Sequence, residues 1–247
     1  MRDDKTKRPA RSQFAARVSA LTYQWTYVRV AHRADEDLFA FLGDRLPGSR
    51  VLDCGCGPGM LAEKLARQGV EHLVAVDADA SMVRQARRRL APALSAGTVD
   101  VVHARVDECF FRDGGRAFDL VVFKRSLYAP PPAAVATLQA AVAAIEPPGL
   151  VVVVHPERSL RRYAFGRPPR LRGHSAFHLL NRFVSRLAAR LGLGDYQVYT
   201  SGELRDLLAQ AAPGRPIRAA PTSQDAYNIA AIMVDQSSSE STDAGAS

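Results

Sequence analysis

Three glycines at alternate positions follow an aspartate in the stretch VLDCGCGPGM, residues 51–60. The pattern is Asp53-x-Gly55-x-Gly57-x-Gly59, and a short apolar run leads into it. Glycines spaced in this way let the backbone turn tightly and approach a ligand closely, as in loops that hold nucleotides. The chemistry of this region therefore depends on which nucleotide the loop accepts.

Two phosphate-binding loops can be compared with this run. A P-loop ends in Gly-Lys-Ser/Thr, so that the lysine and the hydroxyl reach phosphates and Mg²⁺, and neither residue stands here. The dinucleotide fingerprint GxGxxG would place its third glycine at position 60. That position is Met60, a large side chain where close helix–strand packing needs none. The run therefore fits neither loop well.

The carboxylate of Asp53 favours a cationic ligand. An acid at the end of a strand repels a pyrophosphate and attracts a positive charge. S-adenosylmethionine (SAM) carries an ammonium and a sulfonium but no phosphate, and Asp53 can reach the ammonium directly or through water. The bare glycine backbone then lets the nucleoside approach. We therefore predict SAM as the cofactor, with S-adenosylhomocysteine (SAH) as its demethylated product.

Other residues follow where a nucleoside would need them. The second predicted strand ends at Asp77, where a carboxylate can accept hydrogen bonds from both ribose hydroxyls. Met82 is placed to cover one face of the adenine, with core packing as the alternative. Asp107, after the third strand, can accept from the adenine amino group. Lys124, the last residue of the fourth strand, is also counted among the predicted cofactor-binding residues.

An alternation of strands and helices positions these residues. The apolar runs are short and Val-rich, as is typical of parallel strands buried on both faces. They are RVLDC (50–54), HLVAVD (72–77), VDVVHARV (99–106), FDLVVFK (118–124) and LVVVVH (150–155). Helices are predicted before and between them, among others at 34–46, at 58–68 with Pro58 as the first helical residue, and at 81–90. The pattern predicts an α/β fold, a Rossmann-like doubly wound sheet that is mostly parallel, with an antiparallel C-terminal strand and helices on both faces.

One domain is expected over residues 13–234, between polar tails at 1–12 and 235–247 that we predict to be disordered. Four parts succeed one another along this domain. They are an N-terminal helical cap (13–46), a core (47–157), a substrate lid (158–200) and a C-terminal closure (201–234).

With these motifs the chain resembles the class I SAM-dependent methyltransferases of the small-molecule type. The segments that carry the resemblance are VLDCGCGPG, VAVDADASMV, HARVDECFF, FDLVVFKRSLY and PPGLVVVVHPE, which come in the order of the family over residues 50–157. The resemblance implies that Asp53 and the glycines line the methionine side of SAM and that Asp77 holds the ribose. It also implies methyl transfer to an O or N atom of a small molecule, of the kind found in secondary metabolism.

Residues after the fourth and fifth strands are the candidates for catalysis, because ligands of such sheets bind beyond the carboxyl ends of the strands. His155 has an intrinsic pKa that suits a general base, and Tyr128 can orient the substrate or the sulfonium. A hydrogen-bonded core histidine is the structural alternative for His155. No clear base follows the fourth strand, so a SAM-binding enzyme that promotes a cyclisation or rearrangement is an alternative function.

Positive charge is concentrated after the fifth strand. The net charge is +8, and residues 157–190 hold nine arginines and one acid. Arg182, Arg186 and Arg190 recur at helical spacing on one predicted face, which suits an anionic acceptor, while a solvated arginine face is the alternative. An RNA methyltransferase or a nucleic-acid-binding protein is a further reading. It is not favoured, because few aromatic residues are interleaved for base stacking and KRSLY differs from the Asn/Asp-Pro-Pro-aromatic motif of base-methylating enzymes.

Composition favours a cytoplasmic enzyme. The 247 residues, 47% of them apolar, can bury one full core, and no apolar run approaches the roughly 18 residues of a membrane span. The N-terminus is polar and basic, unlike a secretory signal, and three cysteines do not make a disulfide framework. No His, Asp or Glu cluster has metal-ligand spacing, so we predict no metal site. The expected partner is a small molecule, with no membrane and no nucleic acid.

Overall fold

The computed structural model describes residues 32–106, 118–156, 199–222 and 227–235. The two predicted tails apart from Asp235, most of the predicted cap and nearly all of the predicted lid lie outside these ranges. Asp107, Arg182, Arg186 and Arg190 also lie outside them. The elements in chain order are α1 (His32–Leu42), β1 (Arg50–Cys54), α2 (Met60–Ala66), β2 (His72–Asp77), α3 (Ala80–Arg89), α4 (Ala91–Ser95), β3 (Val99–His103), β4 (Phe118–Lys124), α5 (Pro131–Ala143), β5 (Ile145–Pro156), α6 (Ser201–Ala211), β6 (Ile217–Pro221) and β7 (Tyr227–Val234).

The strands form one seven-stranded sheet in the order β3-β2-β1-β4-β5-β7-β6. Strands β1 to β5 pair in parallel, and β7 runs antiparallel to both of its neighbours, β5 and β6. The predicted α/β fold class is therefore confirmed, including the antiparallel strand near the C-terminus. The chain order reverses between β1 and β4, and in open sheets of this kind ligands bind in the crevice at that point.

Helices cover both faces of the sheet, because successive side chains of each buried strand point to opposite sides. Val51 belongs to the apolar cluster that contains the buried residues of α1, α2 and α3. Leu52, the next residue, belongs to the second cluster, which contains those of α5 and α6. The same alternation continues through β4, where Val121 and Val122 fall in different clusters. The double layer explains why the strands read as continuous apolar runs.

Several element ends differ from the sequence-based prediction. Pro58 is not the first residue of α2, because the left-handed turn continues through Gly59 (φ 80°) and the helix begins at Met60. The helix predicted over 34–46 ends at Leu42 and gives way to a 3-10 turn, Gly43–Arg45. The strand predicted to end at Val106 ends at His103. Strand β5 begins at Ile145, because Ile145 pairs with Phe118 ahead of an irregularity in the ladder.

The C-terminal part adds a capped helix, α6, followed by the antiparallel strand pair β6 and β7. Helix α6 begins with a capping box, in which the Thr200 side chain accepts from the Glu203 N–H and the Glu203 carboxylate accepts from the Thr200 N–H. Its apolar face packs into the same cluster as α5. Among the residues described, no helix is long and apolar enough to cross a membrane.

Candidate active site

The glycine turn leaves the end of β1 at the switch point. Gly55, Gly57 and Gly59 adopt φ angles of 75°, 56° and 80°, a region that residues with a side chain rarely enter. The N–H groups of Gly55 and Cys56 both donate to the Val76 carbonyl, at 2.8 and 2.9 Å, which ties the turn to the end of β2. The turn therefore presents bare backbone beside the crevice between β1 and β4.

Asp77 organises the turn from the end of β2. Its Oδ2 accepts from the Gly57 N–H at 2.8 Å, and its Oδ1 accepts from the Asp79 N–H at 2.8 Å. Burial raises the pKa of Asp77, and the two backbone hydrogen bonds oppose that effect. Each carboxylate oxygen can accept more than one hydrogen bond, so ribose hydroxyls can be added to these contacts. The geometry is compatible with the predicted ribose contact, which stays a prediction.

The environment of the Asp53 side chain most clearly indicates a bound ligand. The side chain is buried, and its Oδ2 accepts no hydrogen bond from any residue within the described ranges. Burial, together with the negative charge of Asp77, raises the pKa of Asp53 to about 7. A buried carboxylate oxygen without a donor costs free energy, and a cationic donor such as an ammonium would remove that cost. The residues present therefore fit SAM.

Ser126 forms the opposite wall of the crevice, and sequence reasoning did not single it out. Arg125, just after β4, adopts a left-handed conformation with φ 56°. Ser126 follows, and its Cβ lies 2.5 Å from the place that a Cβ on Gly55 would occupy. The Ser126 hydroxyl is buried and has no hydrogen-bond partner in the described part of the chain. Its position directly after a strand was the only signal in the sequence.

Lys124 has a partner inside the protein that the sequence did not suggest. Its ammonium group is buried and hydrogen-bonded to the carboxylate of Asp35, in the first turn of α1. The other oxygen of Asp35 accepts from Lys64 of α2 at 2.6 Å. Burial lowers the pKa of Lys124, and the positive charge of Arg125 lowers it further. The geometry therefore shows a buried ion pair, and the predicted cofactor contact of Lys124 stays a prediction.

Met82 lies in the first turn of α3, half-buried, which is compatible with both an adenine contact and core packing. Asp79 precedes the helix as its N-cap and accepts from the N–H groups of Ser81 and Met82. The adenine contact of Met82 therefore stays a prediction. Asp107 lies outside the described residues, so its predicted contact with the adenine amino group is not described either.

His155 lies at the carboxyl end of β5 in an aromatic cluster with Tyr128 and Tyr199. The ring centroids of Tyr128 and Tyr199 are 5.6 and 5.3 Å from that of His155. His155 is fully buried, and its Nε2 accepts a hydrogen bond from the Tyr199 N–H at 3.0 Å. The Tyr199 hydroxyl donates to the Ala129 carbonyl. Since a neutral imidazole that accepts at Nε2 carries its proton on Nδ1, this contact uses the lone pair that a base would need.

The remaining polar groups do not form a metal site in the part of the chain that is described, where no three His, Cys, Asp or Glu side chains are grouped to hold an ion. Cys54 and Cys56 are both buried in or beside the glycine turn. Burial raises the pKa of Cys56, and the charges of Asp53 and Asp77 raise it further. The Cys56 thiol is therefore protonated at neutral pH and serves as a small side chain in a tight turn.

The arrangement of this crevice agrees with comparisons to known proteins. Residues 51–149 match the family described as methyltransferase domain. The match covers about two fifths of the chain, and it agrees with the resemblance to the class I SAM-dependent methyltransferases that the sequence motifs indicate. SAM is the cofactor of the family, and one solved neighbour, the magnesium protoporphyrin IX methyltransferase of Synechocystis, contains SAH.

The curated relatives align with only part of the chain. The ubiquinone biosynthesis O-methyltransferase of Aromatoleum aromaticum is 34% identical over 121 residues, 49% of either chain. That of Paracidovorax citrulli is 31% identical over 144 residues, 55% of this chain and 58% of the relative. The chain thus aligns with about half the length of these relatives.

Solved methyltransferase structures share the fold of nearly the whole chain. The Synechocystis enzyme is 18% identical, with a TM-score of 0.61 over 87% of this chain and 94% of its own. An O-methyltransferase family protein from Burkholderia thailandensis is 16% identical, with a TM-score of 0.64 over 91% of this chain and 61% of its own. At these identities the likeness concerns the fold alone.

The buried carboxyl of Asp53 predicts pH-dependent cofactor binding. SAM binding requires the ionised carboxylate of Asp53, whose pKa in the ligand-free protein is raised to about 7. The affinity for SAM should therefore fall about eight-fold between about pH 7.5 and about pH 6. Asp53→Asn should weaken SAM binding at pH 7.5 and remove this part of the pH dependence. Calorimetric titration with SAM at both pH values measures the change in affinity. Asp100→Asn, at an exposed position, is the control. An unchanged pH dependence in Asp53→Asn would contradict the assignment.

Asp53→Asn should weaken SAM binding but stabilise the ligand-free protein at high pH. The folded-state pKa of Asp53 lies above the ordinary value of 3.8, so the stability that this group contributes is full below about pH 4 and lost as the pH rises through about 7. At pH 8 Asp53→Asn should therefore raise the free energy of unfolding, by on the order of 1–2 kcal/mol. Chemical denaturation without ligand measures this gain beside the lost affinity.

The contact between Gly55 and Ser126 predicts a steric coupling. Gly55→Ala should lower the free energy of unfolding by about 2–4 kcal/mol, because it combines an unfavourable φ with a clash against Ser126. Ser126→Gly in the same chain should restore about 1 kcal/mol or more. Gly69→Ala is the matched control, since Gly69 has the same φ of 75° and no atom within 4 Å of the added Cβ. Strictly additive effects of the two substitutions would show that they do not touch.

Proposed function

We propose that the protein transfers the methyl group of SAM to an oxygen atom of a small-molecule acceptor. The observation that carries the proposal is the buried, donor-less carboxylate oxygen of Asp53 beside a glycine turn at the switch point. Such a site accepts a cationic nucleoside better than a phosphate. The named relatives with 31–37% identity are O-methyltransferases, which favours oxygen over nitrogen as the acceptor atom.

The residues of the chain then have to align SAM with the acceptor, because the methyl group needs no further activation. When bound, SAM would supply a methyl group that its sulfonium already makes electrophilic. Transfer to the acceptor oxygen would release SAH as the leaving thioether and would pass the proton of the acceptor hydroxyl to water. Asp53 holds the ammonium end, Asp77 holds the ribose, and the backbone at Gly55 and Gly57 lets the cofactor lie close to β1. Fixing two reactants in this way can supply much of the rate acceleration.

The acceptor is proposed to bind beside Tyr128, beyond the ends of β4 and β5. Tyr128 is half-buried and packs against the His155 ring, which suits a side chain that orients an acceptor. His155 is proposed to support this wall through its hydrogen bond with the Tyr199 N–H. The role of His155 as a general base, predicted from the sequence, would require that contact to break. The anionic character of the acceptor stays a prediction from Arg182, Arg186 and Arg190.

Mass spectrometry of the product tests the proposed reaction. The purified protein with SAM and a panel of phenolic, carboxylic and amine acceptors should give a product that gains one methyl group at oxygen, together with SAH. Asp77→Ala should raise the dissociation constant for SAM about ten-fold or more, because two or more hydrogen bonds are lost. A product of unchanged mass would support the cyclisation alternative. Absence of SAM and SAH binding in calorimetry would overturn the proposal altogether.

Two substitutions of His155 separate support from base catalysis. In His155→Gln the amide oxygen can take the place of Nε2 and accept from the Tyr199 N–H, but it cannot remove a proton. If His155 supports the wall, His155→Gln should retain kcat/KM within about three-fold while His155→Ala loses about ten-fold or more. If His155 is the base, both variants should lose about 10²–10⁴-fold. SAH binding in each variant controls for damage to the cofactor site.

A further inference from the structure

A buried carboxylate on α1 joins two elements of the cofactor site. Asp35 is fully buried, and it pairs with Lys124, whose side chain is 4% exposed, and with Lys64, whose side chain is 28% exposed. The Asp35–Lys124 contact bridges 89 positions of the chain, and the Asp35–Lys64 contact bridges 29. One side chain therefore links three elements that are distant in sequence.

The two lysines belong to opposite walls of the crevice. Lys64 lies in α2, the helix that begins directly after the glycine turn at Met60. Lys124 is the last residue of β4, two positions before Ser126, which packs against Gly55. Asp35 thus connects the helix that ends the turn on one wall with the strand that carries Ser126 on the other.

Packing alone does not account for a charge at this place on α1. Ala34, Leu38 and Leu42 of the same helix are buried in the apolar cluster that also holds Leu61 and Leu65 of α2. Taking a carboxylate and an ammonium out of water is costly, and apolar side chains of similar volume are often at least as stabilising. The contribution of Asp35 is therefore expected to lie in the relative positions of the elements that it joins. An ion pair fixes the direction of approach of its two partners, whereas an apolar contact does so only weakly.

We propose that Asp35 is a positioning residue of the cofactor site, which holds Lys124 and Lys64 together and so sets the width of the crevice between the glycine turn and Ser126. The proposal rests on SAM as the cofactor and does not depend on which acceptor is methylated. The proposal also gives Lys124 a role, because its ion pair with Asp35 fixes the end of β4 against α1.

Asp35→Asn tests the proposal, with Asp119→Asn as its matched control. Asp119 lies on the same strand as Lys124 and joins β4 to β1, through Arg50 at 2.7–3.3 Å. This contact is at the beginning of both strands, at the end of the sheet opposite to the crevice. Asp35→Asn should raise the dissociation constants for both SAM and SAH about ten-fold. Asp119→Asn should lower the melting temperature and leave both constants within about two-fold of wild type.

A double variant keeps the test decisive if Asp35→Asn folds poorly. Asp35→Asn with Lys124→Met removes the buried ammonium that has lost its carboxylate, so the melting temperature should recover towards that of wild type. The dissociation constants for SAM and SAH should stay raised about ten-fold, because the directed link between α1 and β4 is still missing. Recovery of both properties together, or wild-type affinity in Asp35→Asn, would overturn the proposal.

Calorimetry with SAH also separates this proposal from the proposed methyl transfer. A wild-type protein that binds SAH but methylates no acceptor would contradict the reaction and leave the role of Asp35 standing. Normal methylation together with unchanged SAH affinity in Asp35→Asn would contradict the role of Asp35 alone.

Discussion

The close approach of Gly55 and Ser126 at the ends of β1 and β4 is the constraint on which the cofactor site depends. A Cβ on residue 55 would lie 2.5 Å from that of Ser126, so the two loops can meet only because one of them has no side chain. Parallel strands with diverging loops leave a crevice at this place. The positive φ angles of the glycine turn and of Arg125 shape the two loops that meet there.

Charge in the crevice is distributed so that a cation is favoured. Asp53 and Asp77 both have raised pKa values, and the negative charge of Asp77 contributes to the shift of Asp53. A cationic ligand relieves both the burial of Asp53 and the repulsion between the two acids. The nearby ammonium of Lys124 is held by Asp35 instead. The basic residue that closes β4 is therefore engaged by a carboxylate of α1.

The proposed acceptor side is supported by elements that come late in the chain. Tyr199 leads into the capping box of α6, and its N–H and hydroxyl contact His155 of β5 and Ala129 after β4. Strand β7 pairs with β5 along its whole length, up to Pro156. The C-terminal part thus supports the ends of the two strands from which the proposed acceptor wall projects.

Local sequence was enough to determine the elements and the kind of cofactor. Val-rich runs are typical of parallel strands that are buried on both faces. The missing Gly-Lys-Ser/Thr ending and the large side chain of Met60 argue against both phosphate-binding loops through residue types alone. The start of α2 was mispredicted at Pro58, since φ at Gly59 depends on the turn as a whole and not on the preference of proline for a helix start.

Only the tertiary structure decided the partners of the polar side chains. Asp35 reads in sequence as an ordinary acid in the first turn of a helix, and Lys124 as a basic residue beside a cofactor. Their contact joins positions 89 residues apart, and Ser126 meets Gly55 only because β1 and β4 are neighbours in the sheet. Periodicity and spacing report the environment of a residue along its own element. Contacts between elements depend on strand order, which no local pattern encodes.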